Sequence, residues 1–160
     1  LSFPAVTGNP GFYFPYTSLY SYLSHEKGQL FPKHSWAEKG YQFRKSSNNA
    51  IVIANTGLFG YHAGNEKIIV DVLALSDPLL ARLPVPAGAG WRIGHFKRKI
   101  PDGYIASIIS GNERITNANI NQYYKKLKIV TQSDDLLSLD RFEKIILFNL
   151  GAYESLLAAE

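Results

Sequence analysis

The chain has 160 residues, 46% of them hydrophobic, and no cysteine, which excludes disulfides and thiolate metal sites. Its 17 basic and 13 acidic residues leave a net charge of +4, far from the clustered basic footprint of a dedicated nucleic-acid binder, so no nucleic-acid partner is expected. No apolar run approaches the ~18 residues of a membrane helix; Ile145 to Leu150, for one, is six residues long and contains Asn149.

Residues 1–32 hold Gly8, Pro10, Gly11, Pro15, Gly28 and Pro32 and read as an extended, turn-rich stretch. A short helix over Thr17 to Ser24 would expose Tyr20 and Tyr22, which then need something to pack against. Ser35 is expected to cap a helix running to about Arg44, with Glu38 at the capping-box position. Ala50 to Ala54 and Lys67 to Asp71 are short β-branched runs of the kind found in strands covered on both faces. The Gly-rich connection from Asn55 to Asn65 is too long for a hairpin and just long enough for a helical crossover, so two parallel strands are expected.

Asp77-Pro78 opens a further helix, with the carboxylate capping and proline in the first turn; it must stop before Pro84. After a Pro/Gly/Ala loop and the Trp91–Pro101 stretch, a helix follows a cap at Thr116 or Asn117. Its apolar side carries Ile120, Tyr123, Tyr124 and Leu127. The last helix starts at Ser138, carries Leu139, Phe142, Ile146 and Leu150 inward, and is broken by Gly151. The expected fold is mixed α/β, rich in helix, with a small parallel sheet and several C-terminal helices, forming one domain over residues 1–160.

Several side chains are candidates for chemistry, each with a plainer alternative. Asp71 ends a strand, where its carboxylate could meet sugar hydroxyls or cap the next turn. Arg82 suits the end of a helix dipole, or forks onto a carboxylate. If Trp91 to His95 is helical, Trp91 and His95 share a face, placing a stacking ring beside a titratable donor. Arg92 and Arg98 would then be placed to meet phosphate. The alternative has Trp91 anchoring the core and His95 bonded to a backbone carbonyl. Tyr61, His62 and Tyr104 complete the carbohydrate- or phosphate-binding candidates. His62 and His95 have no carboxylate at metal-ligand spacing. No nucleophile elbow, phosphate loop or dinucleotide fingerprint is present, and no cofactor is expected.

Four strings stand out in order along the chain: Gly11-Phe12-Tyr13-Phe14-Pro15-Tyr16, Gly60-Tyr61-His62-Ala63-Gly64 with Val70-Asp71, Leu75-Ser76-Asp77-Pro78-Leu79-Leu80-Ala81-Arg82-Leu83-Pro84, and Trp91-Arg92-Ile93-Gly94-His95-Phe96-Lys97-Arg98 with Ile100-Pro101-Asp102-Gly103-Tyr104. With Tyr123-Tyr124, Arg141 and the Asn149–Tyr153 run, they resemble the C-terminal region of the terminal β-(1→2) arabinofuranosyltransferase family. That family also contains a flagellar-motor control protein and many polytopic membrane proteins. Gly8-Asn9-Pro10-Gly11 departs from the family pattern, which has an acidic and a basic residue before the glycine.

The resemblance implies a soluble extracytoplasmic domain, tethered to the cytoplasmic membrane as the C-terminal part of a larger protein. That parent would move a pentose-like sugar from a polyprenyl-phosphate donor to a cell-envelope glycan. The lobe's partners would be the membrane half of the parent, the glycan and the lipid-linked donor. Its part would be acceptor binding or shaping the active-site mouth, with the catalytic base in the membrane half. No catalytic residue is therefore assigned in this chain, and the absence of an initiator Met at Leu1 fits a fragment. The competing expectation is a non-enzymatic periplasmic scaffold of an envelope or flagellar assembly.

Overall fold

The computed structural model describes residues 34–54, 56–87 and 94–157. The helix expected over Thr17–Ser24 lies outside these residues, as do Trp91 and Arg92.

Helix α1 spans Ser35–Lys45. Ser35 is its first helical residue rather than its cap, a correction to the sequence reading. The chain is extended at His34, whose Nδ1 accepts the Trp36 amide at 3.2 Å. Strand β1 (Ala50–Ile53), helix α2 (Gly57–Ala63) and strand β2 (Ile68–Asp71) form the expected crossover unit. The two strands are parallel, with Ala50 opposite Ile68 and Ile53 opposite Asp71. The sheet is less enclosed than β-branched runs suggest, since Val52 is 42% exposed.

α1 lies against α2 at very short range. At Gly40 a β-carbon would collide with the Phe59 carbonyl, so only glycine permits this approach. The Phe43 and Phe59 rings then stack at 5.7 Å between centroids. Ile51, Ile53 and Ile69 close this small cluster from the sheet.

Val70, the next residue of β2, belongs to a second and larger core with Leu79, Leu80, Tyr104, Ile115, Ile120, Tyr123, Tyr124 and Leu127. Leu79, Leu80 and Leu127 are fully buried. Each such side chain contributes about 1.5–3 kcal/mol of burial. The period-two alternation of β2 thus joins the two cores, with Ile69 in one and Val70 in the other.

The helix expected from Asp77-Pro78 is reduced to a single 3₁₀ turn, Leu80–Arg82. Leu83 is already extended (ψ 151°), as a residue before proline must be, and the helix has no room to continue. Helix α3 (Tyr104–Ser110) is not evident from pattern alone. It is short, has no side-chain cap, and carries Ile105, Ile108 and Ile109, which are weak helix formers.

Helix α4 (Ala118–Gln132) follows the expected cap: Asn117 Oδ1 accepts the Ile120 amide at 3.0 Å, and Ile120, Tyr123, Tyr124 and Leu127 are buried. Helix α5 (Leu139–Asn149) starts at the expected Ser138. Its inward face is not the expected one. Leu139, Phe142, Ile146 and Leu150 are all exposed, and the flank bearing Arg141, Ile145 and Phe148 meets the body. Arg141 fixes this rotation by donating from Nε to the Val130 carbonyl of α4 and from Nη1 to that of Leu136. A final 3₁₀ turn covers Glu154–Leu156.

The architecture is mixed α/β and helix-rich, with five α-helices and one parallel strand pair among the described residues. None of the described helices is long and apolar enough to cross a membrane.

Candidate ligand-binding cleft

The loop leaving β2 is organised by its last residue. Asp71 is fully buried, and its Oδ1 accepts the Leu73 amide at 3.0 Å. Oδ2 accepts the amides of Leu75 and Ser76, each at 2.9 Å, and the Ser76 hydroxyl at 3.2 Å. Ala74 adopts φ 61°, the left-handed conformation that turns successive amides toward one anion. Asp71 is therefore committed to its own loop, and of its two expected roles the local one holds.

Asp77 has a comparable task. Its Oδ1 accepts the Leu79 and Leu80 amides at 3.0 and 2.9 Å, while the Tyr104 hydroxyl donates to Oδ1 at 2.9 Å and Oδ2 at 3.1 Å. Burial holds the Asp77 carboxyl above the usual carboxylate range, despite these donors, with the Asp71 charge adding to the rise. Burial and the adjacent Asp77 charge drive the Tyr104 phenol far above its ordinary value, so it stays a donor. Arg98 ties this loop to the next segment. Its amide donates to the Val72 carbonyl at 2.9 Å, its Nε to Leu83 at 3.0 Å and its Nη1 to Phe96 at 2.8 Å. Asp71, Arg98 and Tyr104, offered by the sequence as ligand-binding candidates, are thus construction parts of the β2 loop.

Tyr61 and His62 sit together on α2 with their rings edge to face at 5.2 Å, and Tyr61 is 72% exposed. His95 is exposed on a non-helical stretch, so the condition for its pairing with Trp91, a helix reaching His95, is not met there. Arg82 lines a cleft at the C-terminal helices, and no other described sequence candidate lines it.

That cleft, of about 580 Å³, is formed by α4, α5, the C-terminal turn and the Arg82–Pro84 segment. Its apolar wall is an aromatic chain: Tyr123 meets Phe148 edge to face at 5.3 Å, and Phe148 meets Tyr153 at 4.8 Å. Two cations flank it. The Arg82 guanidinium lies 5.8 Å from the Phe148 centroid with Nη1 donating to the Pro78 carbonyl at 2.8 Å. Lys126 Nζ stands 5.0 Å over Tyr153. Asn149 and Glu154 complete the polar lining.

Local chain geometry places the far wall. α5 ends in a Schellman turn: Gly151, at φ 71°, donates to the Phe148 carbonyl at 3.2 Å, and Ala152 donates to Leu147 at 3.0 Å. This reversal carries Tyr153 and Glu154 back toward Phe148, with the Glu154 carboxylate 3.3 Å from where a β-carbon at Gly151 would sit. Burial pushes the Tyr123 hydroxyl above its ordinary pKa; Arg82 pulls it down and Glu154 up. The phenol remains a neutral donor at physiological pH.

The cleft therefore presents ring faces, cationic donors, a phenol donor and a carboxylate acceptor, which is the complement of a hydroxylated ring. The two buried carboxylates among the described residues, Asp71 and Asp77, belong to the β2 loop and not to the cleft. Among the described residues no group of three His, Asp or Glu side chains offers a metal site. Tyr123, Asn149, Tyr153 and Glu154 were not among the sequence candidates as site residues. The usable signal was Gly151 between two polar-aromatic stretches, a turn that folds the tail back on the helix before it.

Compared with models of known protein families, with curated proteins and with solved structures, the chain matches none of them.

Proposed function

We propose that this chain is the non-catalytic, glycan-binding lobe of a larger extracytoplasmic glycosyltransferase resembling the arabinofuranosyltransferases, with the Arg82–Tyr153 cleft holding the acceptor. The observation that carries the reading is the cleft's composition. An aromatic wall of Tyr123, Phe148 and Tyr153 stands beside donors and acceptors of both signs, from Arg82 to Glu154. Sugars offer an apolar ring face and a rim of hydroxyls that both donate and accept, so such a lining suits them better than a purely cationic or purely apolar one. Transfer chemistry, donor lipid and catalytic base then belong to the membrane half of the parent protein.

The test is an array of envelope-type oligosaccharides probed with the purified chain. Retention of furanose-containing glycans by the wild type, and its loss in Tyr153→Ala, is the expected outcome. Failure to retain any furanose-containing glycan argues against the reading, as does a full-length parent inactive on polyprenyl-phosphate sugars.

A second reading, an interaction module of an envelope assembly, is favoured by one separate observation: the row of apolar side chains that α5 turns outward.

A further inference from the structure

The outward row on α5 has a defined pattern and a defined margin. Leu139, Phe142, Ile146 and Leu150 follow one another at spacings of three and four residues, the seam of a helix that pairs with another helix. Leu136 and Leu137 extend the row at its N-terminal end, and all six are 46–79% exposed except Leu139, at 87%. Six exposed large apolar side chains within fifteen residues are more than the scattered single ones of an ordinary surface and mark an interaction site.

The charges beside the row are one-sided. Residues 134–150 hold four acidic side chains, Asp134, Asp135, Asp140 and Glu143, against two basic ones, Arg141 and Lys144. The segment is thus net −2 (four negative, two positive) in a chain that is net +4 over all 160 residues. Both bases are engaged. Arg141 turns in to the Val130 and Leu136 carbonyls, and Lys144 lies between Asp140 at 3.1 Å and Glu143 at 2.9 Å. The rim a partner meets is acidic.

This polarity selects among occupants. An anionic membrane surface favours basic rims and is repelled by this one. A second copy docking through the same face brings acidic rim against acidic rim, because a two-fold interface pairs like with like. A helix whose apolar stripe is flanked by Lys and Arg satisfies both the seam and the charge. We propose that the exposed face of α5 is the docking strip for an amphipathic, basic-flanked helix of a partner protein. This inference rests on the interaction reading and not on the glycan cleft, which uses the opposite flank of α5.

The experiment uses two labelled synthetic helical peptides with identical Leu/Ile seams, one flanked by Lys and the other by Glu, titrated with the full chain by fluorescence anisotropy. The Lys-flanked peptide is expected to bind about tenfold more tightly than its Glu-flanked counterpart at low salt, with the gap narrowing as salt rises. The double variant Leu139→Asp/Ile146→Asp, at exposed positions, should lose binding with an unchanged melting temperature. The double variant Asp140→Lys/Glu143→Lys should reverse the peptide preference. Equal binding of both peptides, or binding that survives the seam variant, overturns the proposal. So does sedimentation of the chain alone as a dimer that the seam variant abolishes, which assigns the face to a second copy. Seam-dependent co-sedimentation with phosphatidylglycerol vesicles overturns it in favour of lipid. Glycan binding at the cleft can fail without altering any of these outcomes.

Discussion

Asp71 and Asp77 are both buried, yet they differ in what surrounds the carboxylate. Asp71 receives three backbone amides and a hydroxyl from the loop that follows it. Replacing it by asparagine turns an amide NH₂ toward at least one of those donors and leaves buried groups unpaired, at a cost of about 1–3 kcal/mol. Urea denaturation of Asp71→Asn should show this loss, while glycan affinity of the folded fraction stays unchanged. Asp77 sits beside Tyr104 in the larger core, and burial raises its folded pKa above the ordinary aspartate value of 3.8. As pH climbs from 3.8 through the raised folded value, folded Asp77 holds a proton that the unfolded chain has released. The folded state binds more protons in that interval, so Asp77's contribution makes stability fall with rising pH and level off above it. Asp77→Asn, which still accepts from the Leu79 and Leu80 amides, should remove this part of the slope in denaturation midpoints measured across the acid range.

Within elements, most capping side chains were legible in the sequence, Ser35 excepted. Asn117, Ser138 and Asp77 each accept amides where their residue types predict. The strand pair was legible because two β-branched runs flank a connection too long for a hairpin. Which way α5 faces was not. Its apolar residues follow one helical stripe, and amphipathic reading turns such a stripe inward; the backbone contacts of Arg141 and the ring of Phe148 decide otherwise. α3 escaped because its isoleucines look like strand and its ends lack capping side chains. The approach of α1 to α2 was equally invisible, since a lone Gly40 in a helical pattern reads as a weak position rather than a contact. Gly40→Ala should strike the Phe59 carbonyl, push the two helices apart and cost about 1–3 kcal/mol. A matching drop in melting temperature, with loss of the Phe43–Phe59 ring contact by NMR, checks this.

For the molecule as a whole, two cores meet at β2 and leave the C-terminal helices to shape the cleft. The sequence gathered its candidate residues between 61 and 104, but three of the seven described there are absorbed by the fold: Asp71, Arg98 and Tyr104 hold the β2 loop together. Arg82 is different because its 3₁₀ turn ends at the cleft mouth, where the guanidinium lies near Phe148 and no carboxylate among the described residues pairs with it. The opposite wall depends on a chain reversal at Gly151, a tertiary event that residue pattern signals only as a helix end. The direct test is calorimetric titration of an arabinofuranose-containing oligosaccharide into the wild-type chain, Arg82→Ala and Tyr153→Ala. The wild type should give saturable binding, and each variant should lose about tenfold in affinity, ~1.4 kcal/mol, while remaining folded. No heat of binding from the wild type, or equal affinity in all three proteins, contradicts the assignment of this cleft to a glycan.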